Sequence, residues 1–140
     1  LNVYYFEFFR GNQIYYSHSF LSSIIDYPYD LSPTKLVGKE CFGLDLNANN
    51  GIISTGFMNL GYLGVLLNIV LFRTYFVFLE KIIPGHQYFG LVVVMFMIFR
   101  SSAFTSSLLT HGGAMLLITF LFLADNSSDR QKKIETKINS

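Results

Sequence analysis

The chain has 140 residues, of which 51% are hydrophobic, 17% aromatic and only 14% charged, and its mean hydropathy is +0.42. Soluble globular domains carry about 25% charged residues, so this composition argues against an ordinary soluble protein. The formal net charge of +1 gives no sign of a nucleic-acid-binding surface. A single cysteine, Cys41, excludes an internal disulfide and a cysteine zinc cluster. Charged residues are scarcest between positions 51 and 124, which indicates membrane segments.

The first 55 residues are predicted to form an extracytoplasmic loop region with short helices. Residues 1–10 (LNVYYFEFFR) are too short to span a bilayer, and their aromatic side chains suit the membrane–water boundary. Residues 14–25 are predicted to form a short amphipathic helix. The prolines of residues 26–33 (DYPYDLSP) favour a turn, because the residue before a proline avoids helical geometry. Residues 34–46 show too little periodicity to be assigned.

Three apolar runs, 56–79, 88–104 and 108–124, are predicted to be transmembrane helices. The first has the length that crossing a bilayer requires, which is roughly 20 apolar residues. Within it, Gly61 and Gly64 are predicted to let a neighbouring helix approach closely, as small residues do inside membranes.

Two amide side chains, those of Asn59 and Asn68, lie within the first apolar run. An amide facing lipid is costly, so both side chains are predicted to face protein or a wet cavity. The second run is apolar only from Tyr88 to Arg100, about 20 Å of helix, which falls short of a full span. We therefore expect this helix to be tilted, extended to Phe104 or broken before it.

The flanking charges predict the orientation. Lys81 lies between the first two runs, and the tail at 125–140 carries further lysines and an arginine, so both are predicted to be cytoplasmic by the positive-inside rule. Residues 1–55 and the bend at 100–107 then share the outer side of the membrane. That placement brings candidate ionisable groups to one side of the bilayer: Arg10, His18, Asp26, Asp30, Arg100 and His111.

Several of these side chains suit chemistry at the membrane surface. Arg100 ends an apolar run, and its guanidinium suits a phosphate or diphosphate, the alternative being a snorkelling anchor at a helix end. His111 is predicted to lie at membrane depth, where an ionisable group indicates function unless it is a neutral histidine bonded to another helix. His18 and Asp26 are candidate acid–base groups or solvated loop residues. Tyr29 is suited to stacking on a sugar ring or to an interfacial aromatic belt.

The chain resembles the C-terminal part of bacterial Wzy-type O-antigen polymerases and related repeat-unit polymerases. The similar segments follow the order of that family's large outer loop and last helices: YYFEFFRGNQIYYSHSFL, YPYDLSPTKLVGKECFG, NANNGIISTGFMNLGYLGVLLN and SSLLTHGG. The Asn–Gly loop that runs into GFMNLGYLG is the most specific of them. The first residue is Leu rather than Met, so we expect the chain to be the C-terminal piece of a longer membrane protein that is inactive as a fragment.

The resemblance implies an all-α, polytopic glycosyltransferase of the GT-C-like kind in the bacterial inner membrane. Such enzymes join undecaprenyl-diphosphate-linked repeat units on the outer face, for O-antigen, capsule or exopolysaccharide, and use no metal or cofactor. The implied partners are the lipid-linked oligosaccharides, membrane lipid, a flippase and a chain-length regulator, with no nucleic acid. Carried over to this chain, the resemblance maps stabilisation of the departing diphosphate onto Arg100 or Arg10, and the acceptor base onto His18 or an outer-loop Asp. The predicted site residues are therefore catalytic His18, Asp26 and Arg100, together with substrate-binding Arg10, Tyr29, Asn49 and His111.

Three other functions are compatible with the same residues. An O-antigen ligase-like transferase would pass the glycan to a different acceptor. A transporter or flippase of lipid-linked sugars would move the substrate without bond chemistry, and a structural membrane subunit would bind no ligand.

Overall fold

The computed structural model describes residues 1–19, 21–83 and 85–124, which form helices and loops without a β-strand. This confirms the all-α prediction for the described part of the chain. The predicted cytoplasmic tail at 125–140, with its basic residues, lies outside the described residues. The helices are α1 (Asn2–Phe9), α2 (Pro33–Phe42), α3 (Ile52–Ile82), α4 (Phe89–Ser101, preceded by a 3-10 turn at His86–Tyr88), α5 (Phe104–Leu109) and α6 (Gly113–Ala124).

Helix α3 is folded back on itself near its beginning. Leu60 and Gly61 leave helical geometry, with φ −134° and ψ 19° at Leu60 and φ 61° and ψ −142° at Gly61. Across this bend, the Asn68 Nδ2 donates a hydrogen bond of 2.7 Å to the Ile52 carbonyl, although the two residues are 16 positions apart. On a straight helix they would be about 24 Å apart. Residues 52–59 and 62–82 therefore form the short and long limbs of a helical hairpin.

The two limbs approach each other at glycines. An ideal Cβ built at Gly64 would collide with the Gly56 carbonyl oxygen, and one built at Gly56 would collide with the Gly64 carbonyl. The predicted close approach at Gly64 is thus confirmed, and the neighbour is the chain's own short limb. Gly61 has a different role from the predicted one, because its positive φ is the conformation that lets the chain turn. The predicted continuous helix over 56–79 is accordingly interrupted.

Helix α3 is the one helix among the described residues that is long and apolar enough to cross a membrane. Its long limb alone, at 1.5 Å per residue, measures about 31 Å. Large apolar side chains are exposed along this limb, including Tyr62 and Leu63 at three-quarters of their surface. Contiguous exposed apolar surface of this kind marks contact with lipid or protein.

The prediction of three transmembrane helices is borne out for one helix at most, because α4 and α6 are shorter than the apolar runs predicted to span. Helix α4 ends at Ser101, since Ser102 is extended (φ −135°, ψ 156°). The predicted third span over 108–124 is interrupted too, because Gly112 adopts a positive φ of 84° between α5 and α6. Of the three alternatives expected for the second apolar run, the break before Phe104 is the one observed, and the predicted extension of this helix to residue 104 is wrong.

The long limb and α4 pack through aromatic rings. Phe72, Tyr75 and Phe76 meet the fully buried Phe99 with ring centroids 5.0–5.8 Å apart. The Tyr75 hydroxyl donates to the Gly113 carbonyl at 3.1 Å, which ties α6 to the same cluster. This cluster holds the end of α4 beside the hairpin.

A second hydrophobic cluster holds the first 50 residues against the short limb. Tyr5 and Phe9 of α1 are fully buried with Val37 of α2 and Phe57 of the short limb. The Tyr5 hydroxyl donates to the Ala48 carbonyl at 2.7 Å, and this burial raises the pKa of Tyr5. The short helices α1 and α2 of the predicted loop region therefore pack against the short limb.

Two local predictions in this region need correction. The amphipathic helix predicted over 14–25 is absent from the described residues, which form turns, because Tyr15 and Tyr16 adopt positive φ angles of 49° and 60° that a right-handed helix excludes. Helix α2, in contrast, lies mostly within residues 34–46, where the sequence periodicity predicts no element. It begins at Pro33, whose fixed φ suits the first helical position, and ends where Gly43 takes the left-handed conformation at φ 65°.

Candidate functional site

A polar cavity of about 210 Å³ lies where the 14–19 loop, the start of α2, the short limb and the α4–α5 link meet. We call it the neutral cavity. Ten of the fourteen residues that line it carry a hydroxyl, amide or imidazole group, apolar atoms make up the larger part of the wall, and none of the residues described as lining it is Asp, Glu, Lys or Arg. The polar lining residues are Tyr16, His18, Ser19, Ser32, Thr34, Asn50, Thr55, Asn59, Thr105 and Ser106.

Hydrogen bonds from Asn59 fix one side of this cavity. The Asn59 Oδ1 accepts from the Tyr16 main-chain N–H at 2.7 Å, and its Nδ2 donates to the Thr55 carbonyl at 2.8 Å. The main-chain N–H groups of Ile14 and Tyr15 also donate to carbonyls of the short limb, at 3.0 and 3.2 Å. The predicted inward orientation of Asn59 and Asn68 is confirmed, since both are buried and bonded.

Three buried side-chain groups near this cavity have no hydrogen-bond partner within the described part of the chain: Ser17 Oγ, Asn50 Nδ2 and Ser107 Oγ. Asn50 lines the cavity itself, and the two serines each adjoin a lining residue in the sequence. Leaving a buried polar group unpaired costs about 1–3 kcal/mol. The Asn50 amide, which belongs to a lining residue, is therefore suited to donating a hydrogen bond to a ligand in this cavity.

A second cavity, of about 470 Å³, runs between the hairpin and α4 and is mostly apolar. We call it the Arg100 groove. Ile69, Phe72 and Phe96 contribute to its wall, and the exposed Arg100 stands at the end of α4. Gly51 closes the groove against the Arg100 carbonyl, where an ideal Cβ would collide with that oxygen. An apolar groove with an arginine among its lining residues suits an amphiphile with an anionic headgroup.

His18 and Arg100, two of the predicted catalytic residues, line different cavities. His18 is exposed at the neutral cavity, where its ring lies 4.7 Å from the Tyr27 ring, centroid to centroid. The two cavities are neighbours in the chain, because Asn50 lines the first and Gly51 the second. Asp26, the third predicted catalytic residue, is exposed and lines neither cavity.

The predicted substrate-binding residues are dispersed. Arg10 and Asn49 are exposed and line neither cavity, and Tyr29 is half-buried against the Phe8, Phe9 and Tyr27 rings. His111 is exposed at the α5–α6 turn, with its Nδ1 3.1 Å from the Ser106 carbonyl, and lines a separate groove of about 440 Å³ between α4 and α6. Ser106 also lines the neutral cavity, so His111 contacts a residue of that cavity's wall.

Sequence reasoning missed Asn50 as a lining residue and favoured its neighbour. The pair Asn49–Asn50 before Gly51 indicates that an amide lies at this turn, but the sequence alone does not say which of the two side chains faces inward. Within residues 1–19, 21–83 and 85–124, no three His, Cys, Asp or Glu side chains come together as metal ligands.

The neighbourhood of His18 gives a pH-dependent prediction. Burial, and secondarily Tyr29, raises the pKa of Tyr27 to about 12 from 10.0, and its hydroxyl donates to the Leu31 carbonyl at 2.7 Å. The folded state therefore holds this proton more tightly than the unfolded state, so the stabilisation is complete below pH 10 and is lost as the pH rises from 10 to 12. We expect the midpoint of thermal denaturation to fall over this range, followed together with phenolate absorbance at 295 nm.

Tyr27→Phe is the control for that titration. It has no ionisable hydroxyl, so its denaturation midpoint should depend less on pH between 10 and 12 than that of the unaltered protein. An identical pH dependence in both proteins would contradict the role of Tyr27.

Comparisons with known proteins give no further guidance, because no family model, no curated protein and no solved structure matches this chain.

Proposed function

We propose that this chain acts in a polysaccharide polymerase of the bacterial inner membrane, which joins lipid-linked oligosaccharide repeat units. One observation carries the proposal: an arginine stands at an apolar groove immediately beside a neutral polar cavity. A lipid-linked sugar has the matching order of parts, with an apolar chain, a diphosphate and an uncharged glycan. The exposed apolar surface of α3 supports a membrane setting for this substrate.

The proposed reaction transfers the growing glycan to a new repeat unit. The bond between its anomeric carbon and the diphosphate oxygen breaks, and an acceptor hydroxyl oxygen forms the new bond to that carbon. The Arg100 guanidinium stabilises the negative charge that develops on the departing diphosphate. The acceptor proton passes to a base, a role for which the exposed imidazole of His18 is suited, because histidine is the side chain that most often acts as a general base.

The gene's deletion in the source cells separates this function from its rivals. For a polymerase, we expect surface glycans limited to single repeat units, with polymer restored by the intact gene. A ligase-like transferase predicts long polymer that stays on the undecaprenyl diphosphate. A flippase predicts lipid-linked single units that accumulate on the inner face, and a structural subunit without a ligand predicts unchanged polymer. Mass spectrometry of the lipid-linked pool and gels of surface glycan distinguish these outcomes.

A further inference from the structure

We propose that the neutral cavity is a binding site for one uncharged sugar ring, with Asn50 as a hydrogen-bonding residue. The assignment of that ring to a repeat unit of the glycan rests on the proposed function. The chemistry of the site rests on the cavity itself.

Unpaired hydrogen-bonding groups indicate a polar ligand. Asn50 is only 8% exposed, and its Nδ2 has no partner within the described part of the chain. Ser17 and Ser107 are also buried and unpaired there, but of the three residues it is Asn50 that lines the cavity. A sugar hydroxyl both donates and accepts, so it can pair with an amide and with a serine hydroxyl in turn.

The lack of charge on the wall selects against an anion. Among the described lining residues no side chain is a Lys or Arg, and a carboxylate or phosphate taken from water without a cation partner is strongly disfavoured. Arg100 lines the separate groove. The diphosphate and the sugar ring of one substrate would thus be held by different walls, the first by charge and the second by neutral hydrogen bonds.

The aromatic side chains on the wall and the volume of the cavity also suit a sugar ring. Tyr16 and His18 line the cavity, and rings of this kind present an apolar face to the C–H groups of a sugar beside a polar tip. The cavity volume is about 210 Å³. That volume accommodates a single ring, so the rest of an oligosaccharide would extend outside.

Saturation-transfer NMR on the full chain in detergent tests the proposal directly. The probes are D-glucose, D-galactose and N-acetyl-D-glucosamine, with D-glucuronate as the charged counterpart of D-glucose. We expect at least one neutral sugar to receive saturation and D-glucuronate to bind at least tenfold more weakly. The absence of signal from all three neutral sugars, or equal binding of D-glucuronate, would overturn the proposal.

Two variants locate the binding in this cavity. Asn50→Ala should weaken the neutral sugar at least tenfold, whereas Gln87→Ala, which removes an exposed amide from the turn before α4, should not. Because Asn50→Ala removes a buried side chain, Thr105→Phe offers a second test: Thr105 is exposed and lines the cavity, so a phenyl group there should block it with little risk to folding. Unchanged sugar binding in folded Thr105→Phe protein would contradict the site.

These results separate the site from the proposed function. Sugar binding that depends on Asn50, in a protein whose gene deletion leaves polymer intact, would retain the sugar site and reject the polymerase. Loss of polymer on deletion, with sugar binding unaffected by either variant, would retain the polymerase and reject this cavity.

Discussion

Replacing Gly64 with alanine is expected to lower the free energy of unfolding by roughly 1–3 kcal/mol, the usual cost of overpacking a tight contact. The new Cβ would meet the Gly56 carbonyl of the opposite limb, and backbone cannot move aside as the end of a flexible side chain can. The limbs must separate, which also strains the bond from Asn68 to the Ile52 carbonyl. The midpoint of thermal denaturation in detergent, followed by circular dichroism, measures the loss.

Gly90→Ala is the matched control for that substitution. Gly90 is also a helical glycine, in α4, but no atom lies within 4 Å of an ideal Cβ there. Alanine at this position should stabilise by up to about 1 kcal/mol, because it favours helix over glycine. Equal destabilisation by both substitutions would contradict the close packing of the limbs.

Replacing Arg100 is expected to have the largest effect on activity. Arg100→Ala removes the one cation that lines the apolar groove among the described residues, and polymer formation should fall on the order of 100-fold, as when an enzyme loses one donor aimed at developing negative charge. Arg100→Lys keeps the positive charge but loses the planar fork of donors, so it should retain more activity than alanine and less than arginine. Gel profiles of surface glycan, normalised to the amount of membrane protein, report the chain length.

Arg73→Ala provides the comparison for Arg100. Arg73 is exposed on the long limb and lines neither the Arg100 groove nor the neutral cavity. Its removal tests whether any arginine on the apolar helices matters equally. Full-length polymer in both Arg100 variants would remove this residue from the mechanism, and loss of polymer in Arg73→Ala alone would point to another site.

The sequence was sufficient to predict the parts of the fold that depend on solvation. The apolar run of the long limb predicts helix, and the cost of an exposed amide predicts that Asn59 and Asn68 face inward. Hydropathy contains no information on backbone direction, however. Gly61 and Gly64 stand in similar surroundings, yet one turns the chain and the other packs against Gly56.

The candidate site was partly predictable from the positions of its charged and polar residues relative to the apolar runs. A cation at the end of an apolar run singles out Arg100, and a histidine in a polar loop singles out His18. Their assignment to two separate cavities depends on where the hairpin and the α4–α5 link meet, which is a property of tertiary packing. Asn50 differs from Asn49 only in burial, which that same packing determines.

The unequal lengths of the packed helices would produce a hydrophobic mismatch in a bilayer that both of them crossed. At 13 residues, α4 measures about 20 Å, beside a limb of about 31 Å and a hydrocarbon core of about 30 Å. Lipid adjoining the shorter helix would then thin, at a cost of fractions of a kcal/mol per Å. Such a depression beside Arg100 would shorten the distance that a charged headgroup travels from water to the guanidinium.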